Sequence, residues 1–340
     1  MLKSKVKSDP RVRFSVIIPN HNGNRTLAEV LDSIFRGGDS SLEVIVIDDA
    51  STDGSPAIAE KYPVHLIEHR ACRGAASARN AGAEAAAGEI LVFIDNDVVI
   101  PSGTFQVLET HFNNPEISAV IGLLRPITRY KNLYSQYKNF YMHYTYMKLP
   151  EEVTVFYTSI AAIRRDAFRQ CGGFDGSYRA ATIEDMEFGI RVTEKGYRIL
   201  IDKTLQVDHI RHYTLPTLLK TGFRRADGLA KIALRDRLSR EEKSSYVTTS
   251  PSFLVGIVLS FITVFFLALS LILSRWFWIF PAVASYLAII ILNVGFLAGL
   301  ARATRTAFFI GGCGLIFVDL LAHGCGVCRG VISFLRGKRY

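Results

Sequence analysis

The sequence predicts an α/β domain with a parallel sheet, followed by helices of membrane-spanning length. Short runs of β-branched residues alternate with segments of helical periodicity between residues 14 and 112, which is the pattern of successive βαβ units. Carboxylates directly follow two of these apolar runs. From about Phe253 onward the chain is mostly apolar, with uncharged stretches of about 20 residues that are long enough to cross a bilayer.

The elements of the α/β domain are predicted from local pattern. Apolar β-branched runs are typical of buried parallel strands, and apolar residues three or four positions apart indicate helices. Ser55-Pro56 has the form of an N-cap followed by proline at the first helical position, and Gly88 ends an alanine-rich helix. In chain order we expect strands at residues 14–19, 42–47, 64–67 and 90–94, and helices beginning near residues 27, 55, 77 and 101.

The strand at residues 90–94 ends in Asp95-Asn96-Asp97. Ligands of open α/β sheets bind at the carboxyl ends of the strands, so the two carboxylates lie where a ligand is expected. Oxygen ligands of this kind suit Mg²⁺ or Mn²⁺, which complete their coordination with substrate phosphates and water. A polar turn after a strand has the same composition, so the tripeptide alone leaves both interpretations open.

Composition places the chain beside a membrane. The formal net charge is +9 over 340 residues, and basic residues that flank apolar spans follow the positive-inside rule or contact anionic lipid. We therefore expect no nucleic-acid partner.

The five cysteines suggest no disulfide framework, which fits a reducing compartment, and Cys325 and Cys328 lack the second pair expected of a metal site. The charged N-terminus has no apolar h-region and does not resemble a signal peptide.

The apolar region predicts at least two membrane spans, at residues 253–273 and 280–300. Arg302 and Arg305 follow the second span, so both ends of this hairpin and the basic domain share the cytosolic side. Residues 306–321 form either a third span or an interfacial helix. The basic tail at residues 336–339 favours the interfacial helix. We expect a multi-pass protein of the inner or plasma membrane with a cytosolic catalytic domain.

Six sequence motifs occur in a fixed order along the first two thirds of the chain. They are VIIPNHN at 16–22, IDDASTDGS at 47–55, GAASARNAG at 74–82, FIDND at 93–97, AAIRRDAFRQCGGFD at 161–175 and IEDMEFGIRVTEKG at 183–196. Together they closely resemble family 2 glycosyltransferases, whose GT-A fold is a Rossmann-like mixed sheet that binds nucleotide-diphospho-sugars. The resemblance covers about residues 12–230. Together with the composition of the rest of the chain, it predicts a catalytic domain at 12–235, a linker at 236–252 and a membrane region at 253–340.

The resemblance implies a donor site and a metal site at the ends of the strands. The expected cofactor is Mg²⁺ or Mn²⁺, whose charge would neutralise the departing diphosphate. The residues implied for donor binding are Pro19, Asn22, Asp48, Asp49, Arg79, Asp95 and Asn96, and those implied for the metal are Asp95, Asp97 and His209. His212 is an alternative to His209 as the imidazole ligand.

The resemblance also places the catalytic base at the start of the helix that begins at Glu184. An acceptor hydroxyl is a weak nucleophile, so a positioned carboxylate must take its proton. We predict Asp185 as this base and Glu184 as its supporting neighbour, although acidic residues at a helix N-terminus are also favoured by the helix dipole. Attack opposite the leaving diphosphate inverts the anomeric centre. The family often has glycine where this chain has residues 158–160, which leaves the local acceptor geometry open.

The expected partners are a nucleotide-sugar donor, a lipid-linked sugar or glycan-precursor acceptor, and membrane lipids. The Gln-x-x-Arg-Trp signature of processive synthases is missing, which argues against polymer synthesis. Tyrosines repeat every three or four residues between Tyr130 and Tyr144, either as packed core or as an acceptor or membrane contact. Two other functional classes are a non-catalytic membrane component that retains the nucleotide-sugar fold, and a nucleotidyltransferase, for which residues 20–24 lack a glycine-rich phosphate loop.

Overall fold

A computed structural model describes residues 12–36, 41–178, 183–238 and 251–337. The strands are β1 (Phe14–Asn20), β2 (Leu42–Asp48), β3 (His65–Glu68), β4 (Ile90–Ile94), β5 (Val98–Val99), β6 (Ala119–Leu124), β7 (Ile160–Arg164) and β8 (Ile199–His209). The helices are α1 (Leu27–Phe35), α2 (Ser55–Ala59), α3 (Ala75–Ala85), α4 (Thr104–Phe112), α5 (Leu133–Met147), α6 (Arg165–Gln170), α7 (Glu184–Glu194), α8 (Leu215–Leu238), α9 (Pro251–Ile272), α10 (Ile279–Leu292), α11 (Val294–Ala303) and α12 (Ala307–Leu335).

The strands form one mixed sheet in the order β3-β2-β1-β4-β7-β6-β8-β5. β1 pairs in parallel with β2 and β4, as the βαβ pattern predicts, whereas β7 runs antiparallel to both β4 and β6. Every residue of β4 is buried, and β4 lies in the middle of the sheet between β1 and β7. The ends of β1, β2 and β4 therefore lie side by side.

The chain divides into two compact units that are each discontinuous in sequence. The first unit contains the described residues up to Arg125 together with Tyr146–Arg211, and the second contains Pro126–Thr145 and the described residues from His212 onward. This division by packing differs from the contiguous boundaries expected at residues 235 and 252. Most of the expected linker lies outside the described residues, although α8 continues to Leu238.

The second unit has its own apolar core, to which the tyrosine-rich helix α5 contributes. Tyr137 is 1% exposed, and its ring and that of Phe140 lie 5.2 and 5.7 Å from the ring of Phe296 on α11. A Cβ added at Gly299 would come within 2.8 Å of the Phe140 ring, so glycine allows this close approach. Of the two interpretations of the tyrosine repeat, packed core applies to Tyr137.

Glycines also bring α8 and α12 together within this unit. Cβ atoms added at Gly326 and Gly330 would lie 2.3 and 2.5 Å from the carbonyl oxygens of Phe223 and Asp227. Small residues at four-residue spacing let helix backbones approach closely. Gly326 and Gly330 of α12 therefore allow this helix to pack closely against α8.

Two described helices are long and apolar enough to cross a membrane, Ser252–Ile272 and Ala307–Leu335. The expected second span at 280–300 contains a break, where α10 and α11 meet at a 59° bend. At the break, the Asn293 side chain donates a hydrogen bond to the Ile289 carbonyl oxygen over 2.9 Å, and such local bonds compete with the helical ladder. The pair counts as one span only if a broken helix crosses.

Candidate active site

Asn20, the last residue of β1, connects the ends of three neighbouring strands. Its Nδ2 donates to Asp48 Oδ1 at the end of β2 over 2.8 Å, and its Oδ1 accepts from Asn96 Nδ2 beyond β4, also over 2.8 Å. A Cβ added at Gly23 would lie 2.2 Å from Asn20 Oδ1 and 2.5 Å from Asn96 Nδ2, so only glycine fits there. The polar edge predicted from the strand ends is thus a connected network.

Asp48 and Asp49 both direct their carboxylates inward, to protein groups. Asp48 is 2% exposed and accepts hydrogen bonds from the Ser51 hydroxyl and backbone N–H. Asp49 accepts from His69 Nδ1 and the Gly74 backbone N–H over 2.8 and 2.7 Å. Both residues therefore shape the turns that follow β2 and β3.

The Asp49 carboxylate has two further donors, the Arg73 backbone N–H at 2.9 Å and the Cys72 thiol at 3.2 Å. Burial by itself raises the pKa of Asp49, but the hydrogen bonds from Arg73, His69, Cys72 and Gly74 lower it by more, so the net pKa lies below its ordinary value. Bonds to the charged form of a carboxyl have this effect. The backbone of residues 73–74 is thus folded around an ionised Asp49.

Asp49→Asn is expected to lower the free energy of unfolding at pH 7 by about 2–4 kcal/mol, because it leaves buried donors without a full acceptor. A lowered pKa in the folded state contributes stability above the unfolded value of about 4 and loses it as the pH falls through the folded value. The difference between wild type and variant should therefore narrow as the pH falls below about 4. Urea unfolding of the full chain in detergent, followed by circular dichroism at pH 7, 5 and 3, measures it. A constant difference down to pH 3 would contradict this role.

Two other residues implied for donor binding lie near this turn. Pro19 is half-buried within β1 opposite Ile47. Asn22 is exposed, has a φ of 56°, and its Oδ1 accepts from the Thr52 backbone N–H over 2.8 Å. Asparagine tolerates the left-handed region better than most residues, so Asn22 holds the loop after β1 against the turn after β2.

Arg79 on α3 is buried rather than exposed, with 3% of its surface accessible. Its Nη2 donates to Asp95 Oδ1 over 2.7 Å and its Nη1 donates to Glu184 Oε1 over 3.0 Å. The guanidinium also lies 5.6 Å from the centre of the Phe174 ring. One side chain thus joins the end of β4 to the start of α7.

The register of β5 and β8 brings Asp97 and His209 together. Val98 pairs with His209 across these antiparallel strands, which leaves His209 Nε2 3.5 Å from Asp97 Oδ1. Arg211 Nη1 lies 3.7 Å from Asp97 Oδ2. Burial raises the pKa of Asp97, but the charges of His209 and Arg211 lower it by more, so the net pKa is below its ordinary value.

Asp95 differs from Asp97 in its surroundings. Burial raises the pKa of Asp95 above its ordinary value, against the opposing charge of Arg79. Its second oxygen lies 3.4 Å from the Ser159 hydroxyl, at one of the positions where the family often has glycine. The two aspartates of the predicted metal motif therefore face different partners.

The donor set suits a divalent ion at Asp97 and His209. Two ligands that are each about 2.1 Å from one ion lie about 3–4 Å apart, and the Asp97–His209 separation of 3.5 Å falls in this range. Within the described parts of the chain, no group of three or more His, Cys, Asp or Glu side chains is arranged to hold a metal. Asp95 is thus not assembled with the other two predicted ligands. His212 instead stacks edge-on against Tyr130 at 5.0 Å.

Glu184 and Asp185 begin α7 but have different environments. Glu184 is 3% exposed and bound to Arg79, whereas Asp185 is half-buried and its Oδ1 accepts from the Met186 backbone N–H over 2.8 Å. The N-cap residue is Ile183, which provides no side-chain cap. Of the two carboxylates, only Asp185 keeps partial exposure.

Several residues of this site carry no recognisable signal in the sequence. Four such residues each contact a different carboxylate, and strand register and loop conformation alone bring them there. They are Arg211 at Asp97, Ser159 at Asp95, Asn20 at Asp48 and Cys72 at Asp49. The DHIRH stretch at 208–212 indicates polar residues at the end of a strand, but not that Arg211 faces Asp97. The Arg79–Glu184 pair joins residues 105 positions apart.

The mixed sheet, with carboxylates at the ends of β2 and β4, fits the GT-A fold. The same fold is seen in the solved structure of the mannosyltransferase PcManGT from Pyrobaculum calidifontis. That structure matches with a TM-score of 0.59 and 22% identity over 98% of this chain and 90% of its own.

The family follows from sequence comparison. Residues 15–172 match the model described as glycosyl transferase family 2, so the chain contains a family 2 glycosyltransferase domain. A pre-mycofactocin glycosyltransferase of Mycobacterium tuberculosis is 29% identical over 207 residues, 57% of this chain and 42% of that protein. An uncharacterized glycosyltransferase of Haemophilus influenzae is 26% identical over 195 residues, 54% of this chain and 62% of that protein. The chain thus spans less than two thirds of both relatives.

Proposed function

We propose that this chain is an inverting, metal-dependent glycosyltransferase that moves one sugar from a nucleotide donor to a membrane-associated acceptor at the cytosolic face. The observation that carries the proposal is the position of Arg79, which bridges Asp95 to Glu184. It links the strand-end motif proposed for the donor to the helix proposed for the base. The family 2 domain at residues 15–172 supports the same reaction class.

The donor occupies the edge of the sheet where β1, β2 and β4 end. Asn22, Pro19 and the turn held by Asp49 shape the base and ribose end, and Asp95 with Asn96 faces the ribose and diphosphate. A bound Mg²⁺ or Mn²⁺ would be held by Asp97 and His209 and would offset charge on the leaving diphosphate. Arg211, 3.7 Å from Asp97 and half exposed, adds positive charge there. The P. calidifontis neighbour was solved with GDP-Man and Mn²⁺.

Asp185 takes the proton of the acceptor hydroxyl as that oxygen attacks the anomeric carbon. Glu184 is engaged by Arg79 and therefore holds the start of α7 in place. Attack from the side opposite the diphosphate breaks the bond between the sugar and the phosphate, and inverts the anomeric configuration.

The apolar helices retain the enzyme at its acceptor. Ser252–Ile272 and Ala307–Leu335 are of membrane-spanning length, which supports a lipid-linked sugar or membrane-bound glycan precursor as acceptor. Anchoring on the same surface raises the effective concentration of such a substrate. The placement of α12, as a third span or as an interfacial helix, and a plasma or inner membrane location belong to this proposal.

A donor screen tests the proposed reaction. The purified chain in detergent is incubated with Mn²⁺ or Mg²⁺ and a panel of nucleotide sugars, and thermal stability and nucleoside diphosphate release are measured. We expect one donor to stabilise the protein in a metal-dependent way. We also expect slow release of nucleoside diphosphate from that donor. Release of pyrophosphate from a nucleoside triphosphate would instead indicate a nucleotidyltransferase. A donor that binds but is never cleaved or transferred, with native membranes as acceptor, would indicate the non-catalytic alternative.

Bound donor is expected to protect the Cys72 thiol from alkylation. Cys72 is exposed and hydrogen-bonded to Asp49, and this bond together with burial raises the pKa of the thiol, so labelling is done at pH 8.5. Nucleotide at ten times its Kd should slow the modification about tenfold. Peptide mass mapping with iodoacetamide measures it, with exposed Cys325 on α12 as the internal control. Equal rates of alkylation at Cys72 with and without donor would contradict a binding site for the nucleotide base at Asp49.

A further inference from the structure

Arg79 combines deep burial with two separate carboxylate partners. The side chains of Arg79 and Glu184 are each 4% exposed, and that of Asp95 is 28% exposed. In addition, Arg79 Nε is buried without a hydrogen-bond partner. A buried ion pair contributes little net stability after desolvation. Stability therefore does not account for placing a guanidinium here.

The connection between α3 and α7 does not depend on Arg79 alone. The neighbouring Asn80 binds the Phe174 backbone twice, accepting from its N–H over 2.9 Å and donating to its carbonyl over 2.7 Å. Arg191 of α7 donates to the carbonyls of Cys171 and Gly173. This second connection joins α3 to the middle of α7 through residues 171–174. Unlike these contacts of Asn80 and Arg191, the contacts of Arg79 include one with Asp95.

The N-cap of α7 supplies no side-chain acceptor to the first turn, because Ile183 has none. The first N–H groups of a helix also have no intrahelical acceptor. The bond from Arg79 to Glu184 is one contact that holds the turn that also carries Asp185. At the other end of the guanidinium, Asp95 keeps an exposed side on which a ligand can bind while Oδ1 remains with Arg79.

We propose that Arg79 is a positioning residue that transmits occupancy of the donor site at Asp95 to the first turn of α7. This inference rests on the proposed function. A donor that immobilises Asp95 immobilises the guanidinium, and the guanidinium then immobilises Glu184 and the neighbouring Asp185. The base is therefore held in place when the donor is bound.

Hydrogen exchange of α7 tests this coupling without an identified acceptor. The probes are GDP and UDP, each with Mn²⁺, added to the full chain in detergent at concentrations set by thermal shift. In wild type we expect the amides of Glu187–Ile190 to exchange about tenfold more slowly with bound diphosphate, within the usual range for coupled sites. In Arg79→Lys, measured at a nucleotide concentration that saturates the variant, we expect this protection to disappear, because an ammonium cannot bridge two carboxylates as a guanidinium does.

Arg165→Lys is the matched control, because it shortens another arginine with a buried, unpartnered Nε. Its Nη1 binds the carbonyls of Ala86 and Ala87, away from the sheet edge, so the protection of α7 should remain. Glu184→Gln breaks the same bridge from the other side and should also lose the protection. Protection that persists in both Arg79→Lys and Glu184→Gln would overturn the inference. If neither diphosphate binds wild type, the proposed donor site itself is wrong, and the inference falls with it.

Discussion

Asp185→Asn is expected to slow sugar transfer by about 10²–10⁴-fold while changing donor affinity by less than about threefold. The amide cannot accept the acceptor proton, but it keeps the shape of the side chain and its bond to the Met186 backbone N–H. Asp185 is half-buried. Glu184 cannot replace Asp185 as base, because Glu184 is held by Arg79. Nucleoside diphosphate release with native membranes as acceptor measures the rate, and thermal shift measures the affinity.

The matched control for this variant is Asp166→Asn. Asp166 also lies in the first turn of a helix, α6, and is exposed, so the control removes a similar interaction with a helix dipole. We expect it to retain full transfer. Full transfer by Asp185→Asn with an intact fold would refute the assignment of the base.

Asp97→Asn is expected to abolish the dependence of donor binding on Mn²⁺ and to weaken donor affinity about 100-fold, since a bound ion contributes several kcal/mol to such sites. Asp97 is the carboxylate that lies beside His209, and its lowered pKa keeps it ionised at neutral pH. Titration of the thermal midpoint with Mn²⁺ at saturating nucleotide measures the effect.

Two histidine variants provide the comparison for Asp97. His209→Ala should weaken the response to Mn²⁺ in the same direction, because its Nε2 lies 3.5 Å from Asp97. His212→Ala removes a histidine three positions later that packs against Tyr130, and it should leave the response unchanged. Equal responses in the two variants would contradict a metal site at Asp97 and His209.

Local sequence pattern predicts the elements up to residue 112 well, because each one is encoded within a few consecutive residues, whereas β5 to β8 are not predicted. The apolar run at 90–94 becomes the fully buried β4, and the tripeptide after it lies at the expected edge of the sheet. α3 begins two residues before its expected start and α4 begins three residues after its expected start, since helix termini depend on packing. The expected second span is broken at Asn293, where a side chain competes with the helical ladder.

The candidate site is predicted as a set of positions but not as a set of contacts. A carboxylate at a strand end looks equally available in the sequence whether or not it has partners. In the structure, Asp48 and Asp49 are surrounded by donors from their own loops, and Asp95 is paired with Arg79. Arg79 itself has the sequence context of an ordinary helix surface, yet it is buried.

The sequence by itself determined the class of the fold, the order of the strands along the chain, the acidic strand ends and the apolar C-terminal region. These depend on periodicity and on residue type, which are local properties. Only the tertiary structure decided that Asp97 faces His209, that Glu184 is neutralised by Arg79, and that Asp185 stays partly exposed. Such contacts depend on which side chains meet after distant segments pack, because Arg79 and Glu184 are 105 residues apart and nothing in either segment alone specifies the other.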